Sequence, residues 1–207
     1  MNDQHRPPIP YVFMAAVPSF DVWSHDMRDG EPLGTAQLLN GRGLDGGNLS
    51  PHLRWAGFPG QTRGFGVTCL DVDALTGSGF WHWVLFNLPA SVTELPAGAG
   101  SVAMTTLPAG AIQARNDFGT RDYCGAAPPK GRAPHRYVFA VHALDTGVLS
   151  ADADSSPAYV GSALREHTVA RALIVPVYQR EQEPAAGLKE QAAEHLQDRP
   201  RGTSDAR

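Results

Sequence analysis

The stretch Phe65-Gly66-Val67-Thr68-Cys69-Leu70-Asp71-Val72-Asp73 and, after a short glycine-bearing link, Phe80-Trp81-His82-Trp83-Val84-Leu85-Phe86-Asn87-Leu88 decide the fold class. Phe65, Val67 and Cys69 alternate with Gly66, Thr68 and Leu70, the period of two of an extended strand. Trp81–Leu88, and later Tyr137–Leu144, are apolar on both faces, as core strands of a sandwich should be. Turn-forming segments separate these runs: Asp45-Gly46-Gly47-Asn48, Phe58-Pro59-Gly60, Leu95-Pro96-Ala97-Gly98 and Pro128-Pro129-Lys130-Gly131. Only Ser155–Ala172 reads as a helix of ordinary length, with Ser155 or Ser156 as cap, Pro157 in its first turn and Pro176 beyond its end. The expected architecture is mostly β, with one late helix packed on it.

Composition agrees. Gly 22 and Pro 17 in 207 residues make close to a fifth of the chain, well above the usual ~12%. With 42% hydrophobic and 18% charged residues, the chain is long enough for one domain with a sizeable core. The longest apolar run, Tyr11–Val17, is far short of the ~20 residues of a membrane span, which excludes an integral helical membrane protein. A net charge of -4 without a basic block removes the footprint of nucleic-acid binding and of attraction to anionic lipid. Two cysteines, Cys69 and Cys124, lack metal-ligand spacing and any secreted-type framework. Asp3 and Arg6 before a short apolar stretch broken by Pro18 make a poor signal peptide, so a cytoplasmic chain with reduced thiols is expected. Residues 1–18 read as an N-terminal segment and 19–179 as the domain. Residues 180–207, with six acids and five bases, read as a charged disordered tail in which Leu188–Leu196 could form a transient helix.

Four segments carry polar residues that strand physics does not require. Asp71-Val72-Asp73 closes a strand, where aspartate is ordinarily a turn former. Trp81-His82-Trp83 opens one; strict alternation would place His82 with Val84 and Phe86, and Trp81 with Trp83 on a face that could pair two copies of the chain. His135, Tyr137 and Phe139 share a face of another strand, with Arg136 on the opposite side. The loop Asp122–Gly131 can present free amides before its prolines remove donors. His142, mid-strand between Ala140 and Leu144, reads as a packed, hydrogen-bonded core histidine.

The order of these segments resembles the phosphatidylethanolamine-binding protein (PEBP) family. The resemblance rests on Asn48-Leu49-Ser50-Pro51-His52-Leu53-Arg54-Trp55, Asp71-Val72-Asp73-Ala74, Gly77–Val84, Asn87-Leu88-Pro89, Asn116-Asp117-Phe118-Gly119, Gly125–Gly131 and Pro134-His135-Arg136-Tyr137. The short link between the aspartate pair and His82 resembles the bacterial Raf-kinase-inhibitor-like (YbhB/YbcL) branch. The resemblance implies an antiparallel β-sandwich with a Greek-key element and a C-terminal helix. It also implies a small pocket for phosphate-like anions and phosphoethanolamine headgroups. By position the pocket would use Asp71, His82, Gly125, Pro128, His135 and Tyr137, supported from behind by Asp73, Phe80 and Ala127. Leu75, Phe80 and Ala126-Ala127 depart from residues common in the family.

In this reading both histidines donate to anion oxygens, Tyr137 donates its hydroxyl, and Gly125 lets the ligand approach the backbone. Three function classes follow. The leading one is a non-catalytic binding module for a small phosphorylated or carboxylated ligand, with no cofactor and no metal. The second is a protein-interaction inhibitor of a kinase or protease, by family analogy alone. The third is an enzyme built on two histidines and two aspartates, which lacks a Gly-x-Ser-x-Gly elbow or a P-loop.

Overall fold

A computed structural model of the chain describes residues 6–102 and 107–182. The expected transient helix at 188–196 and nearly all of the charged tail lie outside the described residues. The elements run in the order β1 (Asp21–Trp23), β2 (Asn40–Gly41), β3 (Leu44–Asp45), β4 (Leu53–Ala56), β5 (Gly64–Asp71), β6 (Phe80–Pro89), β7 (Glu94–Leu95), β8 (Ile112–Gln113), β9 (His135–Leu144), α1 (Pro157–His167), β10 (Thr168–Ile174) and β11 (Val177–Tyr178).

The main sheet has the order β10-β9-β5-β6-β8, with β11 added to the end of β9; a second sheet has the order β1-β4-β7. All these pairs are antiparallel. Within the main sheet β9 returns beside β5, so the run β9-β5-β6-β8 has the Greek-key order. Leu53 and Trp55 of the small sheet pack against Phe65, Val67, Leu85 and Phe139 of the large one. The Trp55 and Phe65 rings meet edge to face at 5.3 Å across the two sheets. The opposite face of the main sheet is covered by α1, whose Val160 and Leu164 pack on Val84, Phe86 and Leu144. This double covering is the reason β6 and β9 are apolar on both faces. The fold is therefore an antiparallel β-sandwich with one C-terminal helix, as the sequence predicts.

The helix is shorter than its predicted span. Ser156 caps its start by accepting from the Tyr159 amide, and Pro157 occupies the first turn. At the other end the Thr168 hydroxyl donates to the Leu164 carbonyl at 2.6 Å and the chain turns into β10. Buried Thr168, Ala170, Ala172 and Ile174 alternate with Val169, Arg171 and Leu173, which are more exposed. The open edge of β9 takes this segment as its partner, and pairing overrides the helical reading.

A second departure concerns β6. Cys69 pairs with Trp83 and Leu70 with Trp81, so His82 is an extra residue on β6, a β-bulge. The bulge breaks the alternation expected from the sequence. Trp81 packs on the outer face with Val84 and Phe86, whereas Trp83 is fully buried in the inner core. A shared Trp81–Trp83 face for pairing two copies therefore does not exist. His82 turns inward, against Tyr137.

Residues 6–18 lie against the main sheet. Arg6 donates to the Pro134 carbonyl at 3.0 Å, and Tyr11 packs with Leu70 and Val138 on the outer face.

Candidate functional site

The end of β5, the bulged start of β6 and the start of β9 converge at one edge of the main sheet. In register, Asp71 stands opposite Tyr137 on one side and Phe80 on the other. There the side chains border a cavity of about 250 Å³, lined by Asp71, His82 and His135 with Phe80, Phe118 and Pro128.

Asp71 is held from two directions. Its Oδ1 accepts from the Asp73 amide at 3.0 Å, and its Oδ2 accepts from His135 Nδ1 at 2.8 Å. The turn-former reading of Asp71 and a role toward His135 thus hold together, one per carboxylate oxygen. With Nδ1 carrying a proton, His135 offers Nε2 to the cavity: a lone pair when neutral, a second N–H donor when protonated.

His82 is differently poised. Its Nδ1 donates to the Cys124 carbonyl at 2.8 Å, so its Nε2 is the lone-pair nitrogen of the neutral ring. Burial pushes its pKa down, against the pull of the Cys124 carbonyl and the Asp71 charge. A neutral His82 accepts a hydrogen bond and does not donate one into the cavity. The sequence reading made both histidines donors; in the structure each ring commits its Nδ1 proton to an oxygen of the protein, and His82 is the one that burial holds neutral.

Asp73 turns away from the cavity. Its Oδ2 accepts from the Arg136 amide and Nε, each at 2.8 Å, and its Oδ1 from Arg136 Nη2 at 2.7 Å. Burial would raise the Asp73 carboxyl, and the Arg136 hydrogen bonds outweigh it, so the pKa falls. The result is a bidentate clamp that fixes the turn after β5, on the face that alternation assigns to Arg136.

Two predicted contact residues do not line the cavity. Gly125 is packed against the chain at Leu38; a Cβ placed on it would stand 2.1 Å from the Leu38 carbonyl carbon. Its missing side chain admits a crossing backbone and not a ligand. Tyr137 is buried under His82, their rings 5.3 Å apart, with its hydroxyl beside Asp71 and without a well-formed hydrogen bond. Burial and the Asp71 charge push its pKa upward. Pro128, Phe80 and Ala127 do line the cavity.

The family model described as Phosphatidylethanolamine-binding protein matches residues 23–179. The chain belongs to the phosphatidylethanolamine-binding protein family. It is 48% identical over 168 residues to the Escherichia coli UPF0098 protein YbcL, covering 81% of this chain and 92% of that one. It is 49% identical over 155 residues to YbhB of the same organism, covering 75% and 97%. The crystal structure of E. coli YbcL superposes with a TM-score of 0.76 at 49% identity, covering 78% of this chain and 98% of YbcL. A PEBP homologue from Chlamydia trachomatis, CT736, superposes with a TM-score of 0.65 at 25% identity, covering 78% and 98%.

Within this PEBP chain, several motif residues build the frame of the site and do not face the cavity. Asn116 Oδ1 accepts from the Phe118 and Thr120 amides at 3.0 and 3.1 Å, while its Nδ2 donates to the Asp122 carbonyl at 2.9 Å. That closed loop delivers Phe118, whose ring meets Phe80 at 4.8 Å. Asn48 Oδ1 accepts from the amides of Asn40 and Gly125, both at 3.1 Å, tying the Gly125 loop to the β2–β3 hairpin. Cys69 and Cys124 are both free and buried. Burial and Asp122 raise the Cys124 thiol, despite hydrogen bonding to Thr120, so it is less of a nucleophile than an ordinary cysteine.

The residue missed by the sequence reading is Arg42. It sits in the two-residue turn between β2 and β3, with φ of 53° at Arg42 and 73° at Gly43, the positive pair of a type I′ hairpin. Its guanidinium lies 5.1 Å from the centre of the Phe118 ring and lines the cavity. Gly41-Arg42-Gly43 is a legible turn signal, but nothing local tells where the turn will lie relative to a strand end thirty residues away. Among the described residues, no three His, Cys, Asp or Glu side chains gather to hold a metal ion, and no helix is long and apolar enough to cross a membrane.

Proposed function

We propose that this chain is a non-catalytic binding module for a small anion, a phosphate monoester of phosphoethanolamine type or a carboxylate. The observation that carries the reading is the Asp71–His135 pair, in which the carboxylate fixes the imidazole through Nδ1 and leaves its second nitrogen to the cavity. Arg42 at the rim supplies a charge that does not titrate. Neutral His82 accepts from a protonated group on the ligand, the P–OH of a monoanionic phosphate or an ammonium. Phe80 and Phe118 form an apolar wall that strengthens these contacts by excluding water. Ligand binding as a property of the family supports the same reading.

The test is a titration with phosphate, phosphoethanolamine and acetate at pH 5.5 and 7.5, on wild type and His135→Ala. Acetate does not change charge between these pH values, so it separates titration of the protein from titration of the ligand. Saturable binding by wild type that requires His135 is the expected result. No binding by folded wild type at pH 5.5 would overturn the proposal.

A further inference from the structure

A second cavity, of about 350 Å³, lies on the outer face of the main sheet, beneath α1 and the N-terminal segment. Its volume is at the low end of small-molecule sites. Its lining is largely apolar, with Tyr11, Met14, Trp81 and Gly161 among the walls and Arg171 and Arg165 as its cations. It is separated from the Asp71–His135 cavity by the sheet itself, since His142 and His135 lie seven residues apart on β9 and on opposite faces.

The polar groups here are committed in a chain. The Thr168 hydroxyl donates to the Leu164 carbonyl and so accepts from His142 Nδ1 at 3.2 Å. The Nε2 of His142 is left as a lone pair, facing the Tyr11 hydroxyl at 3.4 Å. Neither histidine nitrogen has a proton to spare. Arg171, which stands opposite His142 in the β9–β10 register, is not satisfied in this way. Its guanidinium lies 4.2 Å from the Tyr11 ring centre and 4.0 Å from Met14 Sδ, and its Nε is buried without a hydrogen-bond partner. No carboxylate among the described residues pairs with it. An unanswered, partly buried guanidinium is costly, and an acceptor with negative charge relieves it.

We propose that this outer cavity binds a small monocarboxylate with an apolar body, its carboxylate on Arg171 and its body against Trp81 and α1. One carboxylate matches the fork of one guanidinium. A dianionic phosphate would leave charge uncompensated, because Arg165 also faces Glu166 at 3.7 Å.

Octanoate and phenylacetate are the probes, with 1-octanol as the uncharged control, and binding is followed by titration calorimetry and by NMR shifts of Trp81 and Tyr11. Arg171→Met removes the charge and keeps the length. Gly161→Leu fills the cavity from the helix, where a Cβ meets nothing nearer than Trp81 at 4.0 Å and the residue change favours helix. Saturable binding of either acid, weakened at least about tenfold by Arg171→Met, blocked by Gly161→Leu and unchanged by His135→Ala, is expected; the stronger probe tells an aliphatic from an aryl body. Equal binding of octanol, indifference to Arg171→Met, loss in His135→Ala, or no binding of either acid at millimolar concentration would each overturn the proposal.

Discussion

Asp71 and His135 form a hydrogen-bonded pair, Nδ1 to Oδ2 at 2.8 Å, in which both side chains are almost wholly buried at the edge of the cavity that they line. In the proposed binding mode the carboxylate acts on a ligand mainly through the histidine, since Oδ2 accepts from His135 Nδ1 and Oδ1 from the Asp73 amide. Asp71→Asn keeps the shape and one acceptor but removes the charged acceptor that holds His135 Nδ1. Phosphate affinity at pH 6 is expected to fall about tenfold, the difference between a charge-assisted and a neutral hydrogen bond. Calorimetric titration reads it; tighter binding would mean that Asp71 chiefly repels the anion.

In the proposed binding mode Arg42 supplies a guanidinium and His135 an imidazole nitrogen. A guanidinium keeps its charge throughout the working range, whereas an imidazole does not. Arg42→Gln, at an exposed turn position, is expected to weaken phosphate several-fold at both pH 5.5 and 7.5 with little change in thermal stability. His135→Ala is expected to abolish saturable phosphate binding. Two titration series at the two pH values measure these effects, and a phosphate affinity unchanged by Arg42→Gln would place Arg42 outside the ligand's reach.

The sandwich was legible because double-sided apolar strands and dense turns are local signals, and the motif order then located most of the site. What was not legible came from pairing. The bulge at His82 arises from the register of β6 on β5, and it reverses the faces of Trp81 and His82 without leaving a trace in composition. Strand β10 forms because β9 has an open edge, a demand set by residues far away in sequence. Arg42 reaches the cavity only through the placement of a hairpin tied down by Asn48.

Gly125 distinguishes packing from ligand approach. A Cβ there would stand 2.1 Å from the Leu38 carbonyl carbon and 2.3 Å from its oxygen, a clash with backbone that cannot be relieved by a rotamer change. Gly125→Ala is expected to destabilise the fold by about 3 kcal/mol, toward the upper part of the range for overpacking. Gly77→Ala, where a Cβ meets nothing within 4 Å but φ is +83°, should cost about 1 kcal/mol. Urea denaturation of the two variants checks the order. If Gly125→Ala were the milder change, or lost phosphate binding at full stability, the glycine would belong to the ligand after all.

His142 supplies a pH dependence with a definite sign. Burial, and then the Arg171 charge, lower its pKa to about 3 from the ordinary 6.5. Between those values the unfolded chain binds a proton that the folded chain refuses, so stability is fully present above pH 6.5 and is lost as pH falls toward 3. Buried His82, also lowered, adds in the same direction. From pH 7.5 to 4.5 the His142 contribution amounts to a loss on the order of 2–3 kcal/mol. His142→Gln removes the titrating group at the cost of part of the Thr168–Tyr11 hydrogen-bond chain. The variant should be less stable than wild type at pH 7.5, yet should lose less on acidification, so that the two stability curves converge. Urea midpoints at the two pH values measure this, and parallel curves would mean that His142 is reached by water and protonates freely in the native state.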